Sequence, residues 1–378
     1  YLIAGAEDLV PSLEKVGDQW VEQIQTLPEG ANTYSVKRYR PRIEGLFSRI
    51  ERWTNTNTGR IHWRSISKEN IMSVYGDTPE SCIADPENEN RIFEWLLSYS
   101  CDDKGSVIRY VYKLEDFVGV PRVLSEASHI DKSTQSYLKE VLYGNKTAYY
   151  RGEELPSANG FHFKVVLNYG EIQKSETTLS TTGLEDNKRV SFTESGDWTS
   201  RLDAFSSCRS GFNVRTYRRC KSILVYHRFE QELPIDEYLV RSLEFTYRDE
   251  LPLGESDSVV EGFSFLTKIV QTGYKYDTVN SNYLYESLPA FEFEYQPHLW
   301  NSTVKTADAE QMVHAPVGIN DKQYLWIDLY SEGISGILTE QNGGWFYKEN
   351  LGSGEFTQAK QVSPKPSFSG LGNALQIQ

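Results

Sequence analysis

The chain is written in short alternating runs. Phe47-Ser48-Arg49-Ile50-Glu51-Arg52-Trp53 sets apolar against polar side chains in turn, Asn55-Thr56-Asn57-Thr58-Gly59 follows, and Ile61-His62-Trp63-Arg64-Ser65-Ile66 alternates again. A period of two on both sides of a Gly-containing turn predicts a β-hairpin. The pattern returns at Phe93–Ser100 and at Val107–Tyr112, joined by Asp102-Asp103-Lys104-Gly105, where Gly supplies the positive φ of a tight reversal. Further strands are predicted over Tyr137–Tyr143, Phe161–Tyr169, Val214–Arg228, Tyr238–Tyr247, Phe265–Tyr274 and Leu288–Tyr295. Several end in tyrosine, as expected of an antiparallel meander that closes each strand with an aromatic on its buried face. In the last, Phe291, Phe293 and Tyr295 are expected to face a core, and Glu292 and Glu294 water.

Helical periodicity is scarce. Asp8–Gln25 carries scattered apolar residues broken by Pro11 and Gly17, and reads as a short helix or an irregular segment. Ser125–Lys139 has room for one short helix. Beyond Pro297 the composition changes: 299–315 is polar and reads as a linker. Tyr324–Leu329, Ile337–Glu340 and Trp345–Lys348 then form three short runs separated by Gly-rich turns, including Asn342-Gly343-Gly344, as in one blade of a propeller. The tail after Pro364 is rich in Ser, Gly and Pro and too short to close a ring. The expected class is mainly β, with domains at 1–298 and 316–378.

Composition narrows the function. At 378 residues the chain suits two domains or one large extended β architecture. Aromatics at 13% supply a sizeable core, and 24 Tyr against 2 Met favour strands. A net charge of −14 argues against nucleic acid as a partner. The basic run Arg215–Lys221 is the exception, better explained by a solvated strand face or ion pairs than by phosphate contacts. No apolar run approaches the roughly 20 residues of a membrane helix. The chain starts at Tyr1 with neither Met nor a signal segment and is read as an internal piece of something longer. Cys82, Cys101, Cys208 and Cys220 form no Cys-x-x-Cys pair, and four reduced thiols are expected rather than a zinc site.

Catalytic patterns are weak. Glu292-Phe293-Glu294 has the Glu-x-Glu form of ADP-ribosyltransferases, and Leu179-Ser180-Thr181-Thr182 offers a Ser-Thr element, but the two are far apart with strands between, and no Arg stands on a matching strand. A retaining glycosidase needs two carboxyl groups about 5–5.5 Å apart with one pKa raised, and nothing marks either Glu as buried. There is no Gly-x-Ser-x-Gly elbow. The six histidines (His62, His129, His162, His227, His298, His314) are scattered; His62 and His162 sit between apolar neighbours on strands as ordinary part-buried imidazoles, and a pH switch through one of them is a secondary idea.

Three long stretches carry a resemblance: RYRPRIEGLFSRIERW (38–53) with the following IHWRSIS and RIFEWLLSYSCDDKGSVIRYVYK; WTSRLDAFSSCRSGFNVRTYRRCKSILVYHRF (198–229) with EYLVRSLEFTY; and YLWIDLYSEGISGILTEQNGGWFYKENLG (324–352). Together they resemble the SpvB-type region of the B component of bacterial Tc insecticidal toxin complexes, over nearly the whole chain. The resemblance implies a non-enzymatic scaffold: an extended antiparallel β-sheet shell segment at 1–298, then the start of an FG-GAP-like β-propeller, secreted as part of a toxin complex. It implies as partners a C component with Rhs-type repeats, an encapsulated toxic enzyme and a pore-forming A component, with no cofactor. FG-GAP blades carry a calcium loop; here Asp328 and Glu332 match it but Tyr330 and Gly336 remove two donors, so a metal-free turn is expected. Interface candidates are Arg201, Arg209, Arg215, Arg218 and Arg219, mixed with Asp203, Phe205, Phe212 and Tyr217, together with Trp326 and Trp345. For the Arg-rich segment an internal hairpin held by Arg–Asp pairs stands beside the interface reading. The competing functions are a secreted carbohydrate-binding or adhesion module and, third, an ADP-ribosyltransferase.

Overall fold

The computed structural model describes residues 1–2, 8–45, 47–179, 187–250, 263–295, 313, 324–341 and 343–363. The chain divides into two compact units, Tyr1–Pro297 and His298–Gln378. Helix among the described residues is confined to the single 3-10 turns Pro79–Ser81, Ala158–Gly160 and Arg248–Glu250.

The first unit is built on a 17-stranded sheet. In chain order its strands are β1 (Leu9–Pro11), β2 (Ile24–Glu29), β3 (Asn32–Pro41), β4 (Arg49–Asn55), β5 (Ile61–Ile66), β6 (Met72–Tyr75), β7 (Leu97–Cys101), β8 (Val107–Leu114), β9 (Ser136–Asn145), β10 (Phe161–Asn168), β11 (Ile172–Leu179), β12 (Asn187–Glu194), β13 (Ser222–His227), β14 (Tyr238–Tyr247), β15 (Leu266–Asp277), β16 (Asn282–Ser287) and β17 (Phe291–Glu292). Antiparallel pairing runs without a break from β2 through β10 in chain order. It continues through β13, β14, β15 and β16 to β12 and β11. β1 adds to the outer side of β3, and β17 to β15. The turns behave as their residues dictate. Asn55 Oδ1 accepts from the Asn57 and Thr58 N–H groups, and Asp102 Oδ1 from Lys104 and Ser106, with Gly105 at φ +95°.

A sheet this wide twists and coils. Its inner faces bury Met72, Val74, Tyr99, Val107, Leu142 and Phe161 in one cluster, and Leu9, Tyr39, Ile50 and Trp63 in another. In the second half of the unit the sheet coils again: Val166 of β10 and Val190 of β12, at opposite ends of a six-strand run, share one core with Leu224, Leu239, Tyr274 and Tyr283. The sheet there has curled onto itself.

Several expectations need correction. Asp8–Gln25 is neither helix nor irregular: it forms β1, the hairpin Leu13–Val16/Gln19–Glu22 and the start of β2. Pro11 is tolerated because β1 is a short edge strand. Ser125–Lys139 holds turns and then strand, with no helix. Val214–Arg228 is two strands, because Tyr217 and Arg218 turn inward between Asn213–Thr216 and β13. The dry face expected of Phe291, Phe293 and Tyr295 is absent: these side chains are 72%, 42% and 41% exposed. β17 is only two residues long and nothing in the described unit covers it.

In the second unit, β18 (Tyr324–Ile327), β19 (Gly336–Gln341), β20 (Gly344–Lys348) and β21 (Lys360–Val362) form a four-stranded antiparallel meander, the form of one propeller blade. Ile337, Leu338, Tyr324 and Tyr347 are its buried hydrophobic residues. Pro297, most of the 299–315 segment, Asn342 and the tail after 363 lie outside the described residues.

Candidate functional site

The Arg-rich segment lies in a connection between β12 and β13. It forms the hairpin Phe205–Ser207/Asn213–Thr216, whose second strand pairs in parallel with Ser133–Thr134. That partner belongs to the other long connection, between β8 and β9. Arg218 and Glu115 join the two connections. The Arg218 Nε–H donates to Glu115 Oε2 at 2.9 Å, Nη2 donates to Oε1, and Nη1 donates to the Val118 carbonyl at 2.8 Å. Both side chains are fully buried, and the guanidinium lies 4.3 Å over the Trp198 ring. The Trp198 indole N–H donates to Asp116 at 2.6 Å. A buried ion pair holds only when its remaining donors are met, and here both carbonyl and ring faces meet them.

Arg215 forks onto Glu126 (Nε 2.9 Å, Nη2 2.6 Å), and the Tyr217 hydroxyl donates to the same carboxylate at 2.7 Å. Burial works against ionisation of Glu126, but the Tyr217 and Arg215 hydrogen bonds outweigh it and hold its pKa below the ordinary value. Arg201 forks onto Asp203, which also accepts from Ser264. Arg219 forks onto Asp249 at 3.0 Å from both nitrogens. The guanidiniums of Arg201, Arg215, Arg218 and Arg219 thus bind carboxylates of this same chain, and Arg218 offers no surface to a partner. Arg209 differs: it is exposed at the hairpin tip, and the same connection also exposes Leu202 (77%) and Phe205 (54%). The acidic partners Glu115, Asp116 and Glu126 were missed in the sequence. They lie some hundred residues upstream, 103 for Glu115 and Arg218. The only signal was a carboxylate-rich connection matching an arginine-rich one.

Glu292 and Glu294 are exposed on and beside β17; Ser180, Thr181 and Thr182 lie outside the described residues. Asp328 Oδ1 accepts from the Glu332 N–H at 3.0 Å and Oδ2 from Gly333 at 2.7 Å, and these backbone bonds lower its pKa. The carboxylate therefore closes its own turn. A side chain at Gly336 would run into the Tyr347 hydroxyl and the Lys348 carbonyl, which accounts for glycine there. Among the described residues no group of three His, Cys, Asp or Glu side chains is placed to hold a metal. Trp326 is 38% exposed and meets Phe356 edge-on at 6.1 Å; Trp345 is half-buried in β20. All four cysteines are free, and burial pushes the Cys220 thiol up to about 11. No helix among the described residues is long and apolar enough to cross a membrane.

His62 is embedded in a charged cluster. It is buried, stacks on Trp53 at 5.7 Å, and its Nε2 accepts from the Arg64 Nε–H at 3.1 Å. Arg64 in turn forks onto Glu29 and lies 3.7 Å over Trp53.

Residues 1–229 match the protein family described as SpvB, Salmonella virulence plasmid 65kDa B protein. The mono(ADP-ribosyl)transferase SpvB of Salmonella typhimurium is 31% identical over 224 residues, which is 58% of this chain and 36% of that protein. The chain thus spans about a third of the length of its curated relatives. The N-terminal domain of the Salmonella typhimurium effector SpvB superposes with a TM-score of 0.53 at 29% identity, covering 64% of this chain and 73% of that one. The TcdB2–TccC3 crystal structure covers 96% of the chain at a TM-score of 0.70 and 24% identity, a likeness of fold, using 17% of its own length. The Photorhabdus luminescens Tc holotoxin pore covers 96% at 0.65 and 26% identity, with 16% of its own. A mainly β chain with this sheet and a family match over more than half its length belongs to the SpvB family and has the fold of a Tc toxin B-type component.

Proposed function

We propose that this chain is a non-enzymatic wall segment of a secreted toxin complex. The observation that supports it best is the uninterrupted hydrogen-bonded sheet from β2 to β11, which offers a broad wall rather than a cleft with converging acid–base groups. In this reading residues 1–298 line a shell around a toxic enzyme, 299–315 link, and 316–378 begin a propeller. The partners are a C component bearing Rhs-type repeats, which completes the shell, and a pore-forming A component, which the propeller meets. Exposed Phe291, Phe293 and Arg209 would lie against the rest of such an assembly. The test is reconstitution of a full-length protein carrying this chain with a C-type partner, followed by protease challenge. Protection of the enclosed enzyme is expected, and a freely digested enzyme in a stable complex overturns the reading.

The name of the Salmonella relatives favours one rival, ADP-ribosyl transfer. The present chain covers only 36% of those proteins, and its Glu-x-Glu stands exposed at the end of a wall strand. NAD hydrolysis by this chain that disappears in Glu294→Gln would establish the transferase instead.

A further inference from the structure

The His62–Arg64–Glu29 cluster closes the first curl of the sheet. The pairing register sets Arg64 level with Glu51 on β4 and Arg38 on β3, and places Glu29 six positions further along. In a flat sheet Arg64 and Glu29 would be about 20 Å apart along the strands and about 14 Å across them, from the ~3.3 Å rise and ~4.8 Å spacing. They nevertheless form a two-pronged ion pair, with Arg64 Nη1 3.0 Å from Glu29 Oε1. The contact exists only while the sheet stays coiled, and it ties the β2–β3 turn to β5.

Arg64 is held in that pose by three neighbours: Glu29, the Trp53 face and His62 Nε2. Guanidinium has donors only, so His62 Nε2 must present a lone pair and the imidazole must be neutral. A proton on Nε2 would remove that acceptor and set two cations 3.1 Å apart. The rest of the surroundings do not offset this. Arg60 precedes His62 on the adjoining turn and also disfavours its charge. From β4 come Trp53 and Glu51, and Glu51 already accepts from Arg49 and Trp53. From β3 comes Tyr34, edge-on at 5.4 Å; Asp77 and Tyr99 act electrostatically on Arg64.

We propose that this cluster is an acid-opened latch: protonation of His62 and closure of the Arg64–Glu29 pair exclude each other, so acidification releases the β2–β3 hairpin from β5. Burial first, then Arg64 and Arg60, hold the His62 pKa near 3 in the closed state, against an ordinary value of 6.5. Below pH 6.5 the open form binds a proton that the closed form refuses, so opening becomes up to tenfold more favourable per pH unit. The latch needs no ligand and is independent of the shell reading.

The experiment is amide hydrogen exchange on the whole chain between pH 7.5 and 5, corrected for intrinsic rates and read at Ile24–Glu29. The wild type is expected to lose protection, up to about tenfold per unit below pH 6.5. His62→Gln keeps an acceptor without a titratable ring and is expected to hold protection flat. An equal loss in His62→Gln, or no loss in wild type, overturns the latch. Should that variant not fold, the imidazole shifts of wild-type His62 decide: titration near 6.5 with β2 still protected overturns the proposal, and a neutral ring down to pH 5 in the closed state upholds it.

Discussion

The sheet curls twice, and each curl is pinned by one cation that reaches a carboxylate on a distant strand. In the first, Arg64 of β5 takes Glu29 of β2. In the second, Lys174 of β11 takes Glu244 of β14 at 3.0 and 3.2 Å, with Glu176 at 2.8 Å and the Tyr285 ring 4.9 Å away. The chemistry of the two pins differs. Arginine's planar fork fixes direction and lies flat on Trp53, whereas lysine is a point charge that can turn among several oxygens. Glu244 keeps Ser242 and Tyr274 as donors if the lysine is lost. Glu29 is held by the Arg64 fork. The second pin is redundant and the first is not. Only the first contains a histidine.

Breaking these contacts one at a time sharpens the contrast. The largest effect belongs to a reference pair inside the chain: Glu115→Ala should cost about 3–5 kcal/mol in denaturant unfolding, because it strands the buried Arg218 charge. Arg64→Met should cost about 2 kcal/mol, and Arg64→Lys should recover only part of that, since lysine cannot reproduce the fork. Acidification should weaken the first curl alone. The His62 pKa is lowered on folding, so its contribution is complete above pH 6.5 and is lost as pH falls toward 3. From pH 6.5 to 5 this removes up to about 2 kcal/mol, measured as the difference between wild type and His62→Gln. Lys174→Met should cost about 1 kcal/mol, given the donors Glu244 retains and its partial exposure. Arg209→Ala should stay within about 0.5 kcal/mol, as expected of an exposed tip, and a change of 2 kcal/mol there would assign it an internal role.

What could be read from the sequence was local. The hairpin of β4 and β5 follows from alternation and an Asn-rich turn, and both appear where expected, with Asn55 capping the reversal. Cross-chain partners could not be read. Nothing near Arg218 announces Glu115, and the arginine run fits an interface equally well until both connections are folded. Asp8–Gln25 misled because four very short strands leave no room for a period to show. The alternation at 291–295 was read correctly for its glutamates, but alternation cannot say whether the chain itself supplies a cover for the phenylalanines.

The β11–β12 hairpin has one more consequence, in time rather than space. It leaves β10, whose two edges are taken by β9 and β13, and must find its place against β16. Arg189 of β12 bonds Asn282, 93 residues later in the chain. During synthesis this hairpin therefore emerges long before its docking edge exists. Its apolar side chains, Val190 and Phe192 among them, must wait uncovered until β16 has been made. The second curl can close only as the last strands arrive, which leaves Ile172–Glu194 open to mispairing while the protein is being born.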